Sequence, residues 1–310
     1  MKKKLAVRDW HWEITNDCNL KCLHCILGDC SSQKLTTQES FKVISRIVQL
    51  GGKNLRITGG EPFMRKDLGL IVKEASASGL SVSLITNGTM LDNDFLKKYK
   101  KNINHMAVSI DGQKPAHEYL RGNGTYDRTI LSVKKIVNAG IDFSVYVTMH
   151  SQNQKSLRPI MEELISMGVK NFHLNEINIE GRALSNKHLL MKQEKASKKL
   201  RRILTQLREI IEPGNISHDS SCSISPDSVY LSSNGLIYAC VEIAFQFPEY
   251  IIAHIFDQEI DIKMNDFFSG VNIPRDCACR YVSFNMQGVS ILLNRAKHCP
   301  IIEERRFDNE

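Results

Sequence analysis

Trp10-His11-Trp12-Glu13-Ile14-Thr15-Asn16-Asp17-Cys18-Asn19-Leu20-Lys21-Cys22-Leu23-His24-Cys25 runs from a β-rich segment straight into a cysteine-bearing loop. The run Trp10 to Thr15 reads as a strand. Behind it, Cys18, Cys22 and Cys25 stand at C-x3-C-x2-C spacing. Three thiolates so close in a flexible loop can converge on one metal centre, and three rather than four leaves one coordination position open. A closed zinc site needs a fourth ligand, for which His24 and Cys30 are the nearby choices.

Working outward, short β-rich runs alternate with amphipathic helical stretches, the pattern of repeated βα units around a parallel sheet. Six strands are predicted: Trp10 to Thr15, Asn54 to Thr58, Val82 to Thr86, His105 to Ile110, Asp142 to Thr148 and Asn171 to Glu176. The first helix begins at the capping box Thr36-Thr37-Gln38-Glu39, carries apolar residues at Phe41, Ile44, Ile47 and Val48, and ends at Gly51-Gly52. Further helices are expected over Lys66 to Ser78, Asp92 to Tyr99, Tyr126 to Asn138, Ser156 to Met167 and Leu189 to Ile211, the last stopped by Pro213-Gly214. The fold class is α/β, a partial (βα)6 TIM-type barrel over 1–212, with 213–310 as a small cysteine-rich appendage. In that appendage Ser232-Ser233-Asn234-Gly235 joins Ser228 to Leu231 and Leu236 to Cys240 as a β-hairpin.

Three more motifs fall where strands end. Gly59-Gly60-Glu61-Pro62 follows the second strand, Thr86-Asn87-Gly88 the third, and Ser109-Ile110-Asp111-Gly112 closes the fourth. An α/β barrel gathers its site at the C-terminal ends of its strands, so these motifs and the cysteines are expected to meet in one mouth.

Composition narrows the class. With 310 residues, 42% hydrophobic and 24% charged, the chain is too apolar for disorder and too poor in Gly and Pro to be fibrous. No apolar run reaches the roughly 20 residues of a membrane helix. The N-terminal lysines start like a signal peptide, but Arg8 and Asp9 interrupt it, so a cytoplasmic location is expected. The net charge of +7 is spread along the chain and points to neither nucleic acid nor membrane. Nine cysteines in a reducing compartment argue for metal or catalysis. They fall in two groups, Cys18 to Cys30 and Cys222 to Cys299.

On the triplet and the Gly-Gly-Glu-Pro motif, roughly the first 185 residues resemble the radical S-adenosylmethionine (radical SAM) enzymes. The resemblance implies that Cys18, Cys22 and Cys25 hold a [4Fe-4S] cluster whose open iron is chelated by SAM. One electron then cleaves SAM to methionine and a 5′-deoxyadenosyl radical, which takes a hydrogen atom from the substrate. It implies further that Gly59, Gly60, Glu61 and Pro62 bind the methionine amino group, that Ser109 and Asp111 lie near the ribose and carboxylate, and that Arg121 reaches the SAM carboxylate. Asn87 is a further SAM contact candidate, and His24 is read as packing on the cluster or tuning it. A one-electron reductant such as flavodoxin or ferredoxin is the implied protein partner.

The C-terminal cysteines resemble the SPASM and twitch extensions of part of this family, which carry auxiliary clusters. Cys222, Cys240, Cys277, Cys279 and Cys299 are the candidate ligands, enough for one auxiliary [4Fe-4S] cluster of the twitch kind. Cys279, Cys240 and Cys30 are the candidates for a spare thiol that donates hydrogen to a substrate radical. Only 17 residues precede Cys18, too few for the leader-binding domain of many peptide-modifying relatives. The leading expectation is therefore a small polar natural-product intermediate, aminocyclitol- or aminoglycoside-like, that is epimerised or dehydrogenated. Maturation of a ribosomally made peptide is the alternative, since Gly181-Arg182-Ala183 is similar to a stretch common among peptide and protein maturases. A non-catalytic Fe–S electron-transfer protein is the distant one. Tyr146, His150, His173, Asn175, Glu176 and Glu180 are expected near the substrate, the two carboxylates either binding a cation or pairing with Lys and Arg.

Overall fold

A computed structural model describes residues 7–28, 34–177, 180–190, 216–217, 227–246 and 248–270 of the chain. One sheet organises them. Its strands are β1 (Asp9–Glu13), β2 (Asn54–Thr58), β3 (Ser81–Thr86), β4 (His105–Ser109), β5 (Phe143–Met149), β6 (Asn171–Glu176), β7 (Ile216–Ser217), β8 (Ser228–Leu231), β9 (Leu236–Tyr238) and β10 (Ala253–His254). Their order is β10-β9-β8-β1-β2-β3-β4-β5-β6-β7. Every pairing from β8 through β1 to β7 is parallel, and only β9 and β10 join antiparallel.

The six predicted strands are all present, in the predicted βα order. The helices between them are α1 (Thr37–Gln49), α2 (Leu68–Ala77), α3 (Asn93–Tyr99), α4 (Lys114–Arg121), α5 (Thr125–Ala139) and α6 (Leu157–Ser166). The capping box on α1 forms as expected, with the Thr36 hydroxyl accepting from the Glu39 amide and Glu39 accepting from the Thr36 amide. Helix α4 was not anticipated. Pro115 sits in its first turn, where the missing N–H costs nothing, and Gly122 at φ 108° ends it just after Arg121. The expected helix from Leu189 lies outside the described residues from 191 onward. A short 3-10 turn, Lys187–Leu189, stands at its start.

Strand alternation divides the side chains into two environments. Trp10, Trp12, Leu55, Ile57, Val82 and Leu84 join α1 residues such as Ile44 and Ile47 in one hydrophobic core. Their neighbours His11, Arg56, Ile85, Ser109, Tyr146 and His173 face a cavity inside the curved sheet. The first strand thus buries two tryptophans on one face and offers a histidine on the other.

The predicted hairpin forms, with Tyr230 opposite Tyr238 and Gly235 at φ 89°. Its placement differs from a free-standing appendage. β8 pairs in parallel with β1, Asp9 opposite Ser228 and His11 opposite Tyr230, so the hairpin extends the barrel sheet. Helices α7 (Val241–Gln246) and α8 (Ile260–Gly270) follow it. Among the described residues no helix is long and apolar enough to cross a membrane.

Candidate active site at the mouth of the barrel

The cysteine loop leaves the C-terminal end of β1 and is fastened from four directions. On one side the Gly60 and Glu61 amides donate to the Thr15 and Asp17 carbonyls at 2.7 and 2.8 Å. A Cβ on Gly60 would lie 2.3 Å from the Asp17 carbonyl oxygen, and one on Gly59 2.3 Å from that of Thr15. Two glycines are therefore required where these backbones meet. On a second side, the Asn87 amide group donates to Asn19 Oδ1 at 3.0 Å, and Asn19 donates to Thr89 Oγ1 at 2.8 Å. On a third, the Leu23 amide donates to the Leu120 carbonyl at 2.9 Å, at the end of α4.

The fourth fastening had no signature in the cysteine motif itself. Arg182 donates from its backbone amide to the Cys25 carbonyl at 2.9 Å, from Nε to the Cys22 carbonyl at 2.9 Å, and from Nη1 to the Gly28 carbonyl at 2.5 Å. Asn186 adds a bond to the Leu23 carbonyl at 3.1 Å. Gly181, at φ 52°, lets the chain approach, since a Cβ there would sit 2.4 Å from the Cys25 and Ile26 carbonyl oxygens. The glycine was the readable signal, and the guanidinium clamp was not.

Cys18, Cys22 and Cys25 all line one cavity of about 430 Å³. Burial pushes the Cys18 thiol up and the Cys22 thiol up to about 11, the latter partly offset by the Arg121 guanidinium. Thiols so placed become thiolates only with a cation bound to them, which is the condition iron meets. Among the described residues no three His, Cys, Asp or Glu side chains converge on a single metal-ion position. His24 also lines the cavity, half-buried, with its Nδ1 enclosed and without a hydrogen-bond partner.

The other predicted SAM contacts divide into those that face the cavity and those that hold them. Gly59, Gly60, Asn87, Ser109 and Arg121 line it. Glu61 is fully buried and accepts from the Thr86 hydroxyl, the Asn87 amide and the Phe63 amide at 2.7, 2.7 and 3.2 Å. Burial pushes its carboxyl up against those three bonds. It shapes the loop rather than facing the cavity, and Pro62 is buried beside it at the start of a 3-10 turn.

Asp111 is likewise fully buried. Arg121 donates to it from both Nε and Nη2, and the Thr148 amide donates at 2.8 Å. Burial alone would raise this carboxyl, but the Arg121 guanidinium holds it well below the usual carboxylate range, and Arg121 is raised in turn. Asp111 therefore positions Arg121 at the mouth. His117 accepts from the Asp111 amide at 3.3 Å, and burial lowers it to about 4.

Of the expected substrate-facing residues, Tyr146, His173 and Asn175 line the cavity, with Tyr146 and His173 stacked at 4.6 Å. His150 and Glu180 are buried off it, and the Glu176 side chain lies outside the described residues. Cys240 is buried and lines the same cavity as the triplet. Cys30, Cys222, Cys277, Cys279 and Cys299 lie outside the described residues. His11, Arg56 and Tyr230 were not singled out in the sequence, yet all three line the cavity.

Comparison with known proteins agrees with this geometry. Residues 12–164 match the family described as the radical SAM superfamily, and the chain belongs to that superfamily. It is similar to an AdoMet-dependent heme synthase of Methanosarcina barkeri, 31% identical over 53% of this chain and 48% of that one. It is also similar to a PqqA peptide cyclase of Bradyrhizobium diazoefficiens, 30% identical over 67% of this chain and 56% of that one. The chain thus spans about half the length of the curated relatives it matches. In fold it resembles anSMEcpe solved with bound AdoMet, TM-score 0.70 at 16% identity, over 98% of each chain. Streptococcus suis SuiB bound to S-adenosylmethionine gives TM-score 0.70 at 15% identity, over 85% of this chain and 66% of that one. The family implies a SAM-binding [4Fe-4S] cluster, and the three cavity-lining thiols fit one.

Proposed function

We propose that this chain is a radical SAM oxidoreductase or epimerase acting in the cytoplasm on a small polar natural-product intermediate held inside the barrel. The observation that carries the reading is that Cys18, Cys22, Cys25 and Cys240 open onto one cavity that polar strand residues such as Arg56, Ser109, Thr148 and Asn175 also line. Cys18, Cys22 and Cys25 would hold the cluster, and a flavodoxin or ferredoxin would reduce it. When bound, the cluster and SAM supply a 5′-deoxyadenosyl radical that takes a hydrogen atom from carbon. The chain's own part is to bind and orient. Arg121, aligned by Asp111, offers the guanidinium for a carboxylate, and the Gly59-Gly60 backbone permits close approach. Ser109 and Asn87 add hydrogen-bonding groups on the same wall. Cys240, just after β9 and lining the same cavity, either ligates an auxiliary cluster with Cys222, Cys277, Cys279 and Cys299 or donates a hydrogen atom to the substrate. Cys279 and Cys30 are the other candidate donors.

Anaerobic reconstitution followed by dithionite and SAM tests the core of this reading. The expected products are 5′-deoxyadenosine and methionine, and their absence with the iron retained would sink it. Iron analysis should give about eight irons per chain if an auxiliary cluster is present and about four if it is not. With a turnover substrate, mass spectrometry in D2O separates the reactions: dehydrogenation removes two hydrogens, whereas epimerisation leaves the mass unchanged or adds a single deuterium.

A second reading, maturation of a ribosomally made peptide, is favoured by the similarity to PqqA peptide cyclase and by Gly181-Arg182-Ala183. A short precursor peptide encoded next to this gene would decide for it.

A further inference from the structure

The cavity carries an electrostatic bias that the superfamily's cofactor does not explain. Among the described residues lining it there are three arginines, Arg56, Arg121 and Arg182, and no aspartate or glutamate. Two of the three are committed. Arg121 is bound to Asp111, and Arg182 to the Cys22 and Gly28 carbonyls. Arg56 is different: among the described residues no hydrogen bond or ion pair engages its guanidinium.

Its position is also different. Arg56 stands on β2 two residues before Thr58, which ends that strand, so it sits one inward-facing step, about 7 Å, deeper in the barrel than the mouth. Its register partner on β1 is His11, and His11 in turn faces Tyr230 on β8. Burial, with help from the Arg56 charge, lowers His11 to about 3, so the imidazole is neutral and brings no compensating charge of its own. Neither carboxylate of the neighbouring strand lines the cavity: Glu13 is buried and accepts from the Tyr230 hydroxyl, and Asp9 accepts from the Asn54 amide group at 2.6 Å. A half-buried guanidinium that no described residue engages, in a concave site whose described lining has no acid, is an anion receptor.

We propose that Arg56 anchors the substrate through an anionic oxygen group, carboxylate or phosphate, and so selects against the cationic aminocyclitols among polar substrates. This rests on the reading of the cavity as the substrate site of a radical SAM enzyme. Held at Arg56, the anionic end points down the barrel and the rest of the molecule extends toward Cys18, Cys22 and Cys25. His11 and Tyr230 flank the anchor, and the stacked Tyr146 and His173 lie farther round the wall.

Calorimetric titration of the reconstituted, SAM-loaded protein with succinate, with inorganic phosphate and with putrescine tests the proposal. Binding of succinate or phosphate is expected, at least about tenfold tighter than putrescine, and the tighter of the two anions identifies the group. Arg56→Gln should weaken that anion at least about tenfold, whereas Arg56→Lys should stay within about threefold of the parent. Matching thermal melts for the two variants separate a lost anchor from a lost fold. The proposal is overturned if neither anion binds, if putrescine binds as well, or if Arg56→Gln binds the anion like the parent. Formation of 5′-deoxyadenosine by the unaltered protein is scored separately. Its absence would remove the enzymatic reading while leaving an anion site, and its presence without anion binding would do the reverse.

Discussion

The mouth of the barrel and its inner wall are built on opposite principles. At the mouth nearly every polar group that shapes the site is already satisfied by the chain: Glu61 accepts three bonds, Asp111 is tied to Arg121 and Thr148, and Arg182 spans three carbonyls. Deeper in, Arg56 has no such partner among the described residues. A group saturated by its own protein stays where it is and preorganises a site, whereas one left open is ready to exchange water for a ligand. The contrast separates a framework that keeps the cysteine loop and Arg121 in place from a surface left free to take hold of a substrate.

Substitutions ranked by effect can break or sharpen this contrast. The largest is Cys22→Ala, which should abolish 5′-deoxyadenosine formation by about a thousandfold or more and release the cluster iron, seen by chromatography and iron analysis. Next is Asp111→Ala, which leaves the buried Arg121 charge unpaired and should cost about 3–5 kcal/mol in urea unfolding. Replacing both partners with leucine should recover most of that loss. Gly181→Ala forces a Cβ into the Cys25 and Ile26 carbonyls at positive φ and should cost about 2 kcal/mol, with faster iron loss on dilution.

A pH series then tests the neutral histidines behind the mouth. His117 is held near 4 when folded and is free to protonate near 6.5 when unfolded. Between these values the unfolded state binds more protons, so stability must fall as pH drops from about 6.5 to about 4. Asp111 has the opposite timing: its depressed folded value keeps its contribution complete above about pH 4, and that contribution is lost only in stronger acid. His117→Gln should flatten the upper window by up to one proton, about 1.4 kcal/mol per pH unit. The smallest effect is assigned to the inner wall. Arg56→Gln should shift unfolding by less than about 0.5 kcal/mol, because no group among the described residues partners that guanidinium. A loss of several kcal/mol there would show that wall and mouth are alike.

What the sequence revealed follows from the range over which each feature is encoded. The strands, the Thr36 cap and the cysteine triplet are written in neighbouring residues, so periodicity and spacing were enough. Gly59-Gly60 was legible as a motif, and the structure supplies its cause, the Thr15 and Asp17 carbonyls lying against it. Asp111 and Glu61 were assigned to the ligand through the family resemblance, and the structure adds that both carboxylates are buried behind the cavity while Arg121 and Asn87 line it. The Arg182 clamp and the His11–Arg56 pair link residues far apart in sequence, and neither leaves a local pattern. Helix α4 has only eight residues, too short for a clear apolar period, although Pro in its first turn and Gly after its last are normal helix signals.

The parallel union of β1 with β8 also bears on how the protein comes into being. β1 is synthesised ahead of the strand that covers its second edge, which follows about 200 residues later. At about 5–20 residues per second, that edge waits on the order of 10–40 s with its amides and carbonyls bare. The contact between Ser233 and Asn16, just ahead of the first cysteine, cannot form any sooner. This early segment is thus sealed only once β8 has followed it, and throughout that interval the thiols beside it remain open to whatever delivers iron in the cell.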